Sequence, residues 1–208
     1  MPLLYTFALL SFTAVLTSDS WELLSFDNVP RGDVEFSRGG IRVEVDDSAT
    51  PLVQRFKFTK RVTSVKVSGF ISGDLNIPEG SLWESGFDDA YLRFGLIEAG
   101  DVRLSPLQKL TAPDWVKRVD SLFSETGGIS KIHTFQVLNH DTWVGKERVN
   151  PANSLFYEKI ISTPGDDGSF QIVAKFEKPL DVVGLWILAD GDDTGSRFEV
   201  RVESIKMK

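Results

Sequence analysis

Three oxygen-bearing side chains alternate through one turn near the end of the chain and could coordinate a cation. Asp190, Asp192 and Thr194 are followed by a glycine, and closely spaced carboxylate and hydroxyl oxygens are ligands that Ca²⁺ accepts. The pattern is not an EF-hand, because the twelfth loop position is an arginine instead of the required glutamate. We therefore predict a structural calcium site of another kind, completed by backbone carbonyls or by Asp88 and Asp89. The alternative is a solvated turn whose side chains bond their own backbone.

Asp88, Asp89 and Arg93 stand at the start of a predicted strand. Carboxylates at a strand entrance commonly bond loop amides or a nearby cation, so ion pairing is the favoured interpretation. The guanidinium could instead present its planar fork to sugar hydroxyls or to a uronate carboxylate. Arg93 is therefore also a candidate ligand-binding residue.

Another polar group lies in a short loop between two predicted strands. Asn139, His140, Asp141 and Trp143 supply hydrogen-bond donors, acceptors and a flat apolar ring. A sugar has a polar rim and an apolar face, so this combination predicts ligand contact. Trp143 and Trp83 lie in loop-like sequence and are the predicted platforms for a sugar ring. The alternative is that Trp143 caps the edge of the fold.

The sequence contains no established catalytic motif. It has no Gly-x-Ser-x-Gly elbow, no phosphate-binding glycine loop and no His-Glu-x-x-His zinc helix. The leading interpretation therefore includes no catalytic residue. The alternative is a polysaccharide-active enzyme, lyase-like, that uses His133, Tyr157 and Arg93. Lys131-Ile-His133 followed by Tyr157 resembles elements on the concave sheet of jelly-roll alginate lyases.

Composition excludes several kinds of site and partner. The chain of 208 residues has no cysteine, which excludes disulfides and thiolate metal sites, and its two histidines are too few for a multi-histidine metal centre. The formal net charge of -7 argues against nucleic acid as a partner, because a phosphate-binding protein needs a basic surface.

The first residues predict export. Residues 1–18 are apolar and uncharged, and Ser18 and Ser20 offer small residues for cleavage, so we interpret residues 1–20 as a signal peptide. The mature chain, residues 21–208, is then secreted or periplasmic, with no membrane insertion after signal removal. The alternative is that this segment is an N-terminal strand or helix of the core.

Alternation of apolar and polar residues predicts an all-β protein. Ten short strands separated by turn-forming residues fit a single antiparallel β-sandwich of jelly-roll type. The predicted strands cover residues 22–26, 41–45, 52–58, 62–71, 90–98, 131–138, 155–162, 170–176, 182–189 and 197–205. The last two, joined by the acidic turn, are predicted to form a hairpin.

One segment has helical spacing instead. We predict one amphipathic helix over about residues 112–124, with Thr111 and Asp114 as its capping pair and Gly127-Gly128 at its end. Its apolar side is expected to bury itself over an open end of the sandwich.

Four segments, taken in order and spacing, resemble a known family. They are Asp47-Ser-Ala-Thr-Pro-Leu52, Gly86-Phe-Asp88-Asp89-Ala-Tyr-Leu-Arg93, Asn139 to Gly145 with Asn150-Pro151, and Asp190-Gly-Asp192-Asp193-Thr194-Gly195. Together they are similar to the uncharacterised bacterial family called domain of unknown function 3047. The resemblance spans most of the predicted mature chain. It implies an exported jelly-roll sandwich, similar to carbohydrate-binding modules, and implies no established activity.

Three functions are compatible with these observations. The leading hypothesis is an exported β-sandwich that binds a glycan or another cell-envelope component without catalysis. The second is the lyase-like enzyme described above. The third is a non-catalytic scaffold of the envelope, which would bind protein instead of sugar.

Overall fold

The computed structural model describes residues 11–208, and β-strands dominate it, which confirms the predicted all-β class. The strands are β1 (Phe12–Thr13), β2 (Glu22–Leu23), β3 (Asp33–Ser37), β4 (Gly40–Asp46), β5 (Ala49–Asp74), β6 (Ala90–Val102), β7 (Ile129–Val137), β8 (Glu147–Val149), β9 (Phe156–Ser162), β10 (Ser169–Asp190) and β11 (Arg197–Met207). The helices are α1 (Pro106–Thr111) and α2 (Asp114–Phe123).

Two long strands, β5 and β10, run side by side through both layers of the sandwich. They pair antiparallel from Ser169 with Phe70 at one end to Asp190 with Ala49 at the other, and the register breaks twice in between. The second half of β5 lies beside β11, which is followed by β4 and β3. The second half of β10 lies beside β6, which is followed by β7, β9 and β8. Each strand that was predicted as two pieces is thus one bent strand.

The main core lies between the two layers. Apolar side chains from both halves of the long strands form one buried cluster, so the two parts of the sheet face each other. Its members include Val65, Val67, Ile172 and Val200 from the first layer and Leu52, Phe94 and Leu185 from the second. Burial of each such side chain contributes about 1.5–3 kcal/mol relative to exposure.

Helix α2 covers the outer face of the second layer, not an open end of the sandwich as predicted. Val119 and Phe123 of the helix join Ile132 and Trp186 of the sheet in a second apolar cluster. The helix approaches closely at Gly184, where an added Cβ would lie 2.7 Å from Cζ of Phe123. The prediction that the apolar side of this helix is buried is correct, but the sequence did not identify the surface that the helix covers.

The predicted capping pair is wrong. Helix α2 starts after Pro113, and no side chain of the described residues caps it. A capping box belongs instead to α1, which the sequence analysis missed, where Ser105 and Gln108 each bond the other's backbone. The turn after α2 ends at Gly127 with φ +101°, so the predicted glycine end is confirmed.

β10 and β11 do not form the predicted hairpin, because β5 lies between them. Val200 of β11 pairs with Ile71 of β5, whereas Ile187 of β10 pairs with Leu52 of β5. Residues 191–196 therefore cross from one layer to the other. Alternation shows that a strand has one buried face, but it does not show which strand lies beside it.

Among the strands of residues 11–208, all pairs are antiparallel except one, since β7 and β9 pair in parallel. The connection between them contains β8, which then pairs antiparallel with β9 at the edge of the layer. β8 was not predictable from the sequence, because three residues are too few to show an alternating pattern.

Part of the predicted signal peptide is packed onto the domain. Residues 1–10 lie outside the described residues, but β1 pairs with the end of β11, and the carbonyl of Val15 accepts hydrogen bonds from Trp21 Nε1 at 2.9 Å and Gln54 Nε2 at 3.0 Å. Cleavage at Ser18 or Ser20 would remove these contacts. The cleavage itself stays a prediction. Among residues 11–208, no helix is both long and apolar enough to cross a bilayer.

Candidate functional site

The two faces of the second layer carry different candidate residues. Arg93 pairs with Gln136, and Leu96 pairs with His133, across β6 and β7. Partners on neighbouring strands share a face, whereas residues separated by an odd number on one strand point to opposite faces. Leu96 belongs to the core between the layers. His133 therefore lies on the inner face, and Arg93 lies on the outer face.

Arg93 is enclosed by carboxylates on the outer face. Its guanidinium donates to the Asp190 carboxylate and to the backbone carbonyl of Asp88, and its Nη2 lies 3.2 Å from Oδ1 of Asp88. The side chains of Arg93 and Asp190 are each only 9% exposed. The favoured interpretation of ion pairing at the strand entrance is therefore confirmed for Arg93 and Asp88.

The ion pairs continue along the outer face. Arg148 joins Asp88 to Glu158, with Nη2–Oδ1 and Nε–Oε2 distances of 2.6 Å each. Burial alone would lower the pKa of Arg93, but the neighbouring carboxylates, Asp190 foremost, raise it overall. The guanidinium of Arg93 is charged and engaged inside the fold. The prediction that it presents a fork to a ligand is wrong, because the residue is buried and already paired.

The acidic turn is held by a carboxylate from a distant loop. Asp89 accepts hydrogen bonds from the backbone nitrogens of Asp193 at 3.2 Å and Thr194 at 2.9 Å, and from the Thr194 hydroxyl at 2.6 Å. Burial raises the pKa of Asp89, although the Thr194 hydroxyl opposes that effect. Asp89 thus fixes the turn between β10 and β11 from outside.

Three carboxylates converge at this turn and could hold a divalent cation. One oxygen from each of Asp89, Asp190 and Asp192 lies within 4.8 Å of the others. Burial raises the pKa of Asp190 well above its usual value, and Arg93 opposes this shift while Asp192 adds to it. Neutralising the negative charge of the Asp190 carboxylate is therefore favourable in this turn. Calcium binding stays a prediction.

Two members of the predicted calcium set have other roles. The carboxylate of Asp88 faces Arg93 and Arg148, and the hydroxyl of Thr194 donates to Asp89. The convergent carboxylate set therefore consists of Asp89, Asp190 and Asp192.

Asn139 and His140 fasten a neighbouring loop. Asn139 Nδ2 donates to the carbonyls of Leu75 at 2.8 Å and Ile77 at 2.9 Å, and His140 Nε2 lies 2.8 Å from the Ile77 carbonyl oxygen. These side chains complete the hydrogen bonds of backbone groups that leave the sheet. Their predicted role in ligand binding is not supported by this geometry.

Trp143 is an anchor and not a platform. Its side chain is 2% exposed, and its Nε1 donates to the carbonyl of Glu79 at 3.1 Å. Asp141, at the start of the same turn, accepts a hydrogen bond from the Thr163 hydroxyl. The prediction of an exposed ring at Trp143 is wrong, because the indole fills the gap between this turn and the loop at Glu79. Trp83 is covered by the guanidinium of Arg148, 4.7 Å from its ring.

Three partly exposed rings form a row on the inner side of the second layer. The ring of His133 lies 6.3 Å from that of Tyr157 and 6.3 Å from that of Phe176, measured between centroids. The three come from β7, β9 and the bend of β10, and we call them the ring strip. The structure thus brings Tyr157 together with His133, which the sequence analysis named, and with Phe176, which it missed.

Charged groups border the ring strip. His133 Nε2 lies 2.9 Å from Oε2 of Glu98, and the ammonium of Lys131 lies 5.6 Å from the centre of the Tyr157 ring. Burial and a hydrogen bond to Glu147 raise the pKa of Tyr157 to about 12. The phenol is therefore a hydrogen-bond donor at neutral pH and not a base.

The three residues of the lyase-like alternative do not share one groove. His133 and Tyr157 lie on the inner face, whereas Arg93 is buried on the outer face of the same layer. No single substrate can contact all three. That alternative is therefore contradicted as it was formulated.

Several residues of these sites were missed for an identifiable reason. Glu158 was an available signal, because it is a charged residue inside an apolar strand, and it is 2% exposed in the fold. Its partner Arg148 and the ring-strip neighbours Glu98 and Glu147 lie on other strands. No pattern within one strand indicates which residue of another strand stands opposite it.

The chain matches no protein-family model and no curated protein. Among solved structures it is similar to a low-affinity xylan binding module, CBM86, from Roseburia intestinalis, with 11% identity, a TM-score of 0.36 and coverage of 95% of this chain and 92% of that chain. It is also similar to the xylan-binding module CBM15, with 6% identity, a TM-score of 0.38 and 95% coverage of both chains. A lectin, I-B4 from Griffonia simplicifolia, gives 12% identity, a TM-score of 0.39 and coverage of 96% and 98%. At these values the similarity supports no conclusion about a ligand.

Proposed function

We propose that this protein binds a glycan on the ring strip and performs no chemistry on it. The observation that carries the proposal is the row formed by Tyr157, His133 and Phe176, with ionisable groups at its edges. A cell-envelope component as ligand and the predicted export belong to the same proposal.

The ring strip offers both the aromatic rings and the hydrogen-bonding groups that a sugar requires. The apolar face of a pyranose packs on an aromatic ring, while its hydroxyls need donors and acceptors at the rim. The Tyr157 hydroxyl and the Lys131 ammonium are donors, and the carboxylates of Glu98 and Glu147 are acceptors. Because the rings come from separate strands, a chain of sugars would lie across the strands.

The geometry disfavours catalysis on the strip. The raised pKa of Tyr157, about 12, leaves its phenol protonated at neutral pH, so it is poorly suited as a general base. The Nε2 atom of His133 is engaged by Glu98, and the buried guanidinium of Arg93 cannot stabilise charge on that face. Binding without turnover is therefore the function that the arrangement supports.

Affinity electrophoresis of the full chain against a panel of neutral and uronate polysaccharides tests the proposal. We expect Tyr157→Ala to weaken binding about tenfold, because loss of a stacked ring costs about 1–1.5 kcal/mol. Tyr157→Phe should retain most of the affinity, since it keeps the ring.

Phe70→Ala is the matched control. Phe70 is 45% exposed and lies in the first layer, so its loss should not change binding. Absence of binding across the panel, or an unchanged affinity in Tyr157→Ala, would contradict the proposal and favour a scaffold role.

A further inference from the structure

A cavity of about 500 Å³ lies between α2 and the outer face of the second layer. Its size falls within the range of roughly 300–1,000 Å³ that is usual for pockets of small molecules. Ser130 and Ile132 of β7 line it, whereas His133 of the same strand belongs to the ring strip and Lys131 borders that strip. The cavity and the ring strip are thus on opposite faces of the layer.

The walls of the cavity are mainly apolar and include three aromatic rings. Trp115 and Phe123 come from α2, and Phe156 comes from the start of β9. The rings of Trp115 and Phe156 lie 6.0 and 5.7 Å from that of the buried Trp186. Aromatic rings prefer such edge-on or offset neighbours. A planar ring placed in the cavity would extend an aromatic cluster that already exists.

The charged groups in the wall already have partners. Asp120 accepts a hydrogen bond from the backbone nitrogen of Leu104 at 2.8 Å and pairs with Lys109 at 2.9 Å. Arg103 donates to the carbonyls of Ser124 at 2.5 Å and Gly127 at 2.8 Å. A charged ligand would have to compete with these contacts. The wall therefore favours a neutral ligand.

We propose that this cavity binds a neutral, mainly aromatic small molecule. The proposal does not depend on glycan binding, because the two sites lie on opposite faces of the layer and share no residue.

Calorimetric titration of the full chain with 2-naphthol tests the proposal, with 2-naphthalenesulfonate as the charged counterpart. We expect 2-naphthol to bind and the sulfonate to bind much more weakly. Ser72→Ala, at an exposed position of β5 outside the cavity, is the control variant and should leave the affinity unchanged.

Filling the cavity provides a second test. Val116→Trp should abolish 2-naphthol binding while polysaccharide binding on the ring strip persists. If that variant does not fold, Leu155→Trp fills the cavity from the opposite wall. Failure of wild type to bind 2-naphthol, or unchanged affinity in a folded filled variant, would overturn the proposal.

Discussion

Replacing Arg93 with methionine should destabilise the protein severely, because it leaves a buried carboxylate unpaired. The side chains of Arg93 and Asp190 are each 9% exposed, and removing one member of a buried ion pair costs about 3–5 kcal/mol. Asp88 would keep Arg148 as a partner at 2.6 Å, so the loss falls mainly on Asp190. Urea unfolding followed by tryptophan fluorescence measures the change in the free energy of unfolding.

The loss of stability caused by Arg93→Met should increase with pH. Burial already raises the pKa of Asp190, and loss of Arg93 raises it further above the unfolded value of about 3.9. Between those two pKa values the folded state binds more protons than the unfolded state, so stability falls as pH rises. The deficit of Arg93→Met relative to wild type should therefore be smaller near about pH 4 than near about pH 7.

Two further variants make this test specific. The double variant Arg93→Met with Asp190→Leu should recover most of the loss, because a buried ion pair replaced by apolar groups of similar volume is often neutral. Arg55→Met removes an exposed pair, with side chains 37% and 76% exposed, and should cost no more than about 1 kcal/mol. If Arg93→Met costs as little as Arg55→Met, or if its deficit is the same at both pH values, the reasoning is refuted.

Three other outcomes are expected. Trp143→Ala should lower the free energy of unfolding by about 3–5 kcal/mol, measured by urea unfolding, because it removes a fully buried indole; a cost below about 1 kcal/mol would show that the indole is not an anchor. Calcium should raise the melting temperature, and Asp192→Asn should abolish the rise; no shift at millimolar calcium would exclude the site. Gly184→Ala should cost about 1–3 kcal/mol by urea unfolding, since its Cβ would lie 2.5 Å from the backbone oxygen of Gln54 and 2.7 Å from Cζ of Phe123. Gly80→Ala, with open space around it, should be nearly neutral, and equal costs for the two alanines would contradict close packing around Gly184.

The predicted pairing of Arg93 with Asp88 is correct for a local reason. Both residues lie at the entrance of one strand, five positions apart, so their pairing requires only the turn that leads into that strand. The larger network was not predictable in the same way. Asp190 and Arg148 reach this cluster only because β10 lies beside β6 and the strand after β7 returns in parallel.

For Trp143, the neighbouring sequence led to the wrong prediction. Its neighbours in sequence are polar, which indicated a surface loop, yet the indole is buried against a loop more than sixty residues earlier. Tyr157 lies in a strand, and the pairing of β9 with β7 places it beside His133. No local pattern distinguishes the ring that is buried from the ring that is exposed.

From the sequence alone, most of the strands, the α2 helix and the all-β class were determined, because alternation and helical spacing record how each segment divides its side chains between core and water. Only the tertiary structure decided that β5 separates β10 from β11, that α2 covers the outer face, and that His133, Tyr157 and Phe176 form one row. Those features depend on which segments become neighbours, and that choice is made by packing between residues far apart in the chain.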